Sequence, residues 1–158
     1  MANTYTQAYF HIVFAVKHRM RLIQKAWKSE LEQYITGIVQ NCGHKLLAIG
    51  TMPDHIHIFI GYDLNMLIPK LVEEIKTSSN LWINTNHPSE PKFEWQRGYG
   101  AFTHARGQLD VVVKYVLNQE AHHAKKTFRE EYLSMLQKNE VAYEEKYVFQ
   151  FFDNTNTW

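Results

Sequence analysis

The chain predicts an α+β domain: a ferredoxin-like, split βαβ antiparallel sheet with helices on one face and further helices toward the C-terminus. Three observations predict it. The apolar periodicity runs strand, helix, strand, strand, helix, strand before a polar, helical remainder. The run His55-Ile56-His57-Ile58-Phe59-Ile60, entered through Pro53-Asp54, has the β-branched content and alternation of a strand after a turn. Two longer stretches carry apolar residues at helical spacing. With 158 residues and no repeat, the chain is read as one domain over 1–158, with 125–158 a C-terminal helical tail.

Tyr5 to Val16 reads as a central strand, because Phe10, Ile12, Phe14 and Val16 fall on one face and Tyr9, His11 and Val13 on the other. Lys17 to Gln24 is a basic connection. From Ala26 to Asn41, Trp27, Leu31, Tyr34, Ile35, Ile38 and Val39 keep helical spacing, and Gly43 is a plausible stop. Lys45 to Ile49 is a short strand joined through 50–54 to the His-Ile-His strand, as in an antiparallel hairpin. Met66 to Asn84 is the second helix, with Pro69 tolerable in its first turn. Thr85 to Lys92 is a loop. Phe93 to Thr103 reads as a fourth strand interrupted at Gly98 and Gly100, where a bulge or a close backbone approach is expected. Gly107 to Ala124 begins with consecutive valines that suit a strand, but Leu109, Val113 and Val116 form a helical stripe.

Hydrophobic content of 45% and aromatic content of 14% exclude a disordered chain. A single cysteine, Cys42, excludes an internal disulfide, and the first residues lack a secretory pattern. No apolar run has membrane-spanning length, so the expected location is the cytoplasm. Net charge is only +1, but its distribution is uneven. Residues 1–28 hold Lys17, Arg19, Arg21, Lys25 and Lys28 and no acid, whereas 129–158 hold three basic residues against six acidic ones. Such a basic front gives a nearly neutral molecule one phosphate-attracting face.

Period-two alternation places His55 and His57 on one face of their strand and Ile56, Ile58 and Ile60 on the other. The imidazoles can converge on one divalent ion, whose identity they do not set alone. On a helix, Tyr115 and Gln119 are four apart and project together. Free tyrosine titrates near ~10, so its oxygen needs a metal or a base to act as a nucleophile at neutral pH. A cation held by His55, His57 and Gln119 would polarise a phosphate for in-line attack by Tyr115. The phosphotyrosine product keeps the ester energy, so strand transfer needs no nucleotide cofactor. The alternatives are a tyrosine at a core edge, among nine in the chain, and a structural zinc site of His55, His57, His122 and His123. His122 and His123 are expected to face solvent or a phosphate rather than the metal.

Four blocks together resemble the single-tyrosine HUH transposases of insertion sequences and their REP-associated relatives. They are Tyr9-Phe10-His11-Ile12-Val13-Phe14, Met52-Pro53-Asp54-His55-Ile56-His57, Phe93-Glu94-Trp95-Gln96-Arg97-Gly98-Tyr99-Gly100-Ala101-Phe102, and Tyr115-Val116-Leu117-Asn118-Gln119. The resemblance implies an HUH-endonuclease type of fold, with Tyr115 as nucleophile and His55, His57 and Gln119 as ligands of Mg2+ or Mn2+. It also implies single-stranded DNA with a hairpin as substrate, and a homodimer in which the tyrosine helix of one subunit can serve the other's histidines. Lys17, Arg19, Arg21, Lys76 and Arg97 are the candidate DNA contacts. The acidic, aromatic stretch from Val141 to Phe152 and the final Trp158 depart from that pattern. Two other readings keep the fold without the chemistry: a module that stacks single-stranded bases on its sheet, and an inactive descendant that only binds.

Overall fold

The computed structural model describes residues 3–148. Its centre is a four-stranded antiparallel sheet in the order β2-β3-β1-β4, formed by β1 (Tyr9–Ala15), β2 (Lys45–Met52), β3 (His55–Gly61) and β4 (Gly100–Thr103). Helix α1 (Lys25–Asn41) connects β1 to β2, and α2 (Ile68–Asn86) connects β3 to β4. This is the split βαβ order that the sequence predicts. The strand predicted from Tyr5 is central but begins at Tyr9.

One face of the sheet carries the main core. Ile12 and Phe14 of β1 and Ile56, Ile58 and Ile60 of β3 pack against Trp27, Leu31, Ile35 and Val39 of α1 and Leu71, Val72, Ile75 and Ile83 of α2. Burying each such side chain stabilises the fold by roughly 1.5–3 kcal/mol before the entropy of ordering is set against it. α2 begins without a side-chain cap, and Pro69 sits in its first turn, where an amide hydrogen is not needed.

The opposite face is covered by the C-terminal helices α3 (Leu109–Leu117), α4 (Gln119–His123) and α5 (Phe128–Lys138); a short α6 (Glu145–Val148) ends the described chain. Val112 and Val116 of α3 pack on Ala48 and Phe59, and Phe128 of α5 packs on Val13 and Ala15. Thr127 caps α5 by accepting a hydrogen bond from the Glu130 amide at 3.2 Å. Helices therefore lie on both faces, and polar groups of the sheet on this second face are enclosed. No helix among the described residues is long and apolar enough to cross a membrane.

Three local expectations are corrected. The fourth strand is short, because only Gly100–Thr103 pairs with β1, while Trp95 makes a single bridge to Val16. Gly98 has φ +85°, open to glycine at little cost, and a Cβ on Gly100 would stand 2.9 Å from the Tyr132 ring. The predicted helix over Gly107–Ala124 starts at Leu109 and is broken at Asn118 (φ −103°, ψ 32°), whose amide is shared between the Lys114 and Tyr115 carbonyls at 3.0 and 3.3 Å. Gly50 lies inside β2, not in the turn, since the strand runs on to Met52. There the C-terminal end of α3 crosses the sheet at backbone contact: a Cβ on Gly50 would overlap the Val116 carbonyl oxygen and approach Gln119 Cγ to 3.2 Å. The final residues, Trp158 included, lie outside the described residues.

Gly50→Ala is expected to lift α3 from the sheet and to lower stability by about 1–3 kcal/mol. Urea unfolding checks this, and an unchanged midpoint would contradict the close approach.

Candidate active site

Because Ile56, Ile58 and Ile60 belong to the main core, His55 and His57 must face α3, α4 and α5. Both imidazoles are fully buried. His55 Nδ1 lies 2.7 Å from Asp54 Oδ1. A carboxylate can only accept, so Nδ1 carries the proton and Nε2 presents its lone pair. His123 follows the same logic. Its Nδ1 donates to the Lys126 carbonyl at 2.9 Å, which leaves Nε2 as an acceptor 3.1 Å from His55 Nε2. His57 stacks on His11, with Nδ1 2.8 Å from His11 Nε2, and its own Nε2 lies 3.0 Å from Glu131 Oε1.

Ligand atoms of His55, His57, His123 and Glu131 lie within 4.8 Å of one another. Gln119, also buried, adds a fifth donor atom, an oxygen. Its Nε2 donates to the Tyr115 carbonyl at 3.0 Å, so the side-chain oxygen is the atom turned inward, 3.0 Å from His123 Nε2. Lone pairs thus converge from three elements with few protons to separate them. A divalent cation suits that arrangement, and the nitrogen and oxygen donors fit one. Burial lowers His55 to about 4, against the pull of Asp54, and lowers His11 well below the ordinary histidine value. Both rings are consequently neutral at pH 7, the form in which an imidazole binds metal.

Tyr115 stands over this cluster on α3, its ring centroid 5.8 Å from that of His57 and 6.0 Å from that of His11. Its hydroxyl donates to Glu131 Oε2. Burial first, and then the Glu131 carboxylate, push the phenol well above its ordinary value, so it stays protonated at neutral pH. Burial opposes the charge on Glu131, but the imidazole of His57 first, and then that of His122, outweigh it and hold the carboxyl well below the usual range. The tyrosine and the histidines that meet here belong to the same chain.

The structure brings together Tyr115, His55, His57 and Gln119. It also adds His123 and Glu131 to them. His123, expected to face solvent or a phosphate, is buried at 4% exposure inside the cluster, because the break at Asn118 starts α4 afresh and turns it inward. His122 is partly exposed, with Nε2 3.1 Å from Glu131 Oε2. Glu131, in the acidic stretch 129–158, is buried at 2% exposure. The available signal was an acid three residues after Phe128 and four before Met135, within an apolar helical stripe.

The candidate DNA contacts divide. Arg21 and Arg97 are exposed, and Lys17 is partly exposed with Nζ 3.0 Å from Glu94. Arg19 is corrected: at 1% exposure it is buried, Nε 3.4 Å from Asp54 Oδ2 and its guanidinium 5.4 Å from the centre of the Phe128 ring. The chain folds back at His18 and Arg19, both at positive φ, which carries that side chain inward behind His55. Lys76 is half-buried. Its Nζ donates to the Gln96 and Gly98 carbonyls at 2.8 and 2.6 Å, fastening that loop to α2, and burial lowers its pKa to about 8.

Residues 4–119 match the family model described as IS200-like transposase. The chain belongs to that family. This IS200-like transposase is 22% identical over 118 residues to the ISDra2 transposase TnpA of Deinococcus radiodurans, covering 72% of the chain and 84% of the relative. Its fold is shared with a crystal structure of a candidate transposase from Deinococcus radiodurans R1 (TM-score 0.61, 21% identity, 74% of this chain and 94% of the other). The fold is also shared with a REP-associated tyrosine transposase bound to a REP hairpin (TM-score 0.57, 14% identity, 77% and 72%). Membership in the family and the His/Glu cluster together fit a metal-dependent enzyme.

Removing the Arg19 guanidinium leaves the Asp54 carboxylate buried beside His55 without its cation. Arg19→Ala is therefore expected to lower stability by about 3–5 kcal/mol, while Arg97→Ala leaves it within about 0.5 kcal/mol. Thermal melts of the two variants distinguish a buried structural arginine from a surface one.

Proposed function

We propose that this protein cleaves and rejoins single-stranded DNA through a 5′-phosphotyrosine formed on Tyr115, acting on strands that carry a hairpin. The observation that carries the reading is the meeting of the Tyr115 hydroxyl with a buried cluster of cation ligands in a chain of the transposase family. The hairpin finds support in the structural neighbour bound to a REP hairpin.

His55, His57 and Gln119 would hold a divalent cation, Mg2+ or Mn2+. When bound, the ion would polarise the scissile phosphate and offset the charge that develops on it. The Tyr115 oxygen attacks phosphorus in line, the P–O3′ bond breaks, the phenol proton is released, and the departing 3′ oxygen takes up a proton. Asp54 fixes the His55 ring by its Nδ1 bond, and His11 contacts His57 in the corresponding place. Exclusion of water by the surrounding helices slows hydrolysis of the tyrosyl ester. A later 3′ hydroxyl reverses the exchange on a new strand, so no nucleotide cofactor enters. Lys17, Arg21 and Arg97 are the side chains we assign to the DNA backbone, each as a salt-sensitive phosphate contact. The protein works in the cytoplasm as one domain with a helical C-terminal tail, and as a homodimer. Tyr115 lies beside the histidines of its own chain, which supports attack within one subunit.

The test is a denaturing gel for covalent attachment, with labelled hairpin-bearing single strands from the flanks of the gene, magnesium or manganese, and chelator. Wild type is expected to give a metal-dependent adduct and Tyr115→Phe none, with strand binding retained. Specific binding without any wild-type adduct would replace the enzyme by a binding module or an inactive descendant.

A further inference from the structure

The strand-transfer reading uses His55, His57, Gln119 and Tyr115 and leaves Glu131 without a task. It comes from α5, beyond residues 4–119 that match the family, yet it is 2% exposed and sits at the centre of the cluster. Its two oxygens are divided between two groups. Oε1 lies 3.0 Å from His57 Nε2, 3.2 Å from His123 Nε2 and 3.8 Å from His55 Nε2. Oε2 accepts from the Tyr115 hydroxyl and faces His122 Nε2 at 3.1 Å.

A buried carboxylate is costly unless cations or donors surround it. Here two of the three imidazoles nearest Oε1, those of His55 and His123, present lone pairs, because their Nδ1 atoms are committed to Asp54 and to the Lys126 carbonyl. A cation among these atoms satisfies the carboxylate and the lone pairs together. Donor hardness leads the same way. Imidazoles suit zinc, copper or iron, whereas magnesium and manganese favour carboxylate and carbonyl oxygens. His55, His57 and Gln119 offer one oxygen and no charge; Glu131 adds a second oxygen and a full negative charge.

We infer that Glu131 is a further ligand of the divalent cation and, through its second oxygen, the positioning residue that holds the Tyr115 hydroxyl beside the histidines of the same chain. The ligand part stands on the cluster alone. The positioning part rests on the strand-transfer reading. α5 then belongs to the active centre: the C-terminal helix docks on the sheet through Phe128 and carries Glu131 one turn further along the same face.

The experiment titrates Mn2+ into the full chain without DNA, following the free-ion signal by electron paramagnetic resonance, for wild type, Glu131→Gln and Tyr115→Phe. Glu131→Gln, nearly isosteric, is expected to weaken Mn2+ binding at least about tenfold, and Tyr115→Phe to leave it unchanged. With Mn2+ raised to saturate each protein, Glu131→Gln is expected to form the DNA adduct at least about tenfold more slowly than wild type. Wild-type Mn2+ affinity in a folded Glu131→Gln protein overturns the ligand assignment, and a wild-type adduct rate at saturation overturns the positioning role. If that variant does not fold, Glu131→Asp replaces it. It keeps the charge but withdraws it by one methylene, and wild-type affinity and rate there are equally fatal. A wild type that binds Mn2+ through Glu131 yet never forms an adduct supports the ligand and sinks the strand-transfer reading.

Discussion

Everything at the candidate centre depends on the two-sided burial of β3. Ile56, Ile58 and Ile60 have to be in the core against α1 and α2, and the pleat then forces His55, His57 and Phe59 onto the other face. A slip of one residue would exchange the faces, placing two imidazoles in an apolar core and isoleucines beneath the tyrosine helix. The apolar core thereby sets the position of the polar site. Pairing of β3 with β1 on one side and β2 on the other locks the register, with Val13 opposite His57 and Met52 opposite His55.

The second constraint is the enclosure of that other face. An imidazole pair on an open sheet would be two hydrated side chains with ordinary acid–base behaviour. Covering it with α3, α4 and α5 removes water, lowers His55 to about 4 and raises the Tyr115 phenol. The same burial makes each remaining lone pair expensive to leave alone. The Asp54 carboxylate and the Lys126 and Tyr115 carbonyls accept from His55, His123 and Gln119, turning the other atom of each group toward a common point. Burial and hydrogen bonding thus act together to make a site for positive charge.

Close contact between helix and sheet carries this arrangement to the nucleophile. At Gly50 the strand has no side chain, so the end of α3 settles directly on β2 and Gln119 begins a new turn against it. Val112 and Val116 anchor the helix on Ala48 and Phe59, which leaves Tyr115 above His57 and His11. The basic front of the chain plays a mixed part. Arg19 is absorbed into the structure that supports β3, Lys76 fastens the loop before β4 from a half-buried position, and Arg21 and Arg97 remain at the surface.

Much of this was legible in the sequence, and the division has a physical basis. Alternation in His55–Ile60, helical spacing in the two long amphipathic segments and the turn at Pro53-Asp54 are local signals, because strand pleat and helix pitch act between near neighbours. They determined the strand and helix order and the shared face of the histidine pair. Tertiary structure decided what depends on distant segments meeting. Gly50 looked like a turn because nothing local to it announces a helix crossing overhead. Arg19 looked like a surface cation because its partner, Asp54, lies thirty-five positions away. His123 reads as facing solvent or a phosphate and Glu131 as one charge of an acidic stretch, because their enclosure comes from docking α4 and α5 onto a sheet face built by other parts of the chain. Charge and polarity are properties of a residue, whereas burial belongs to the folded surroundings, and burial is what turned two ordinary polar residues into members of the centre.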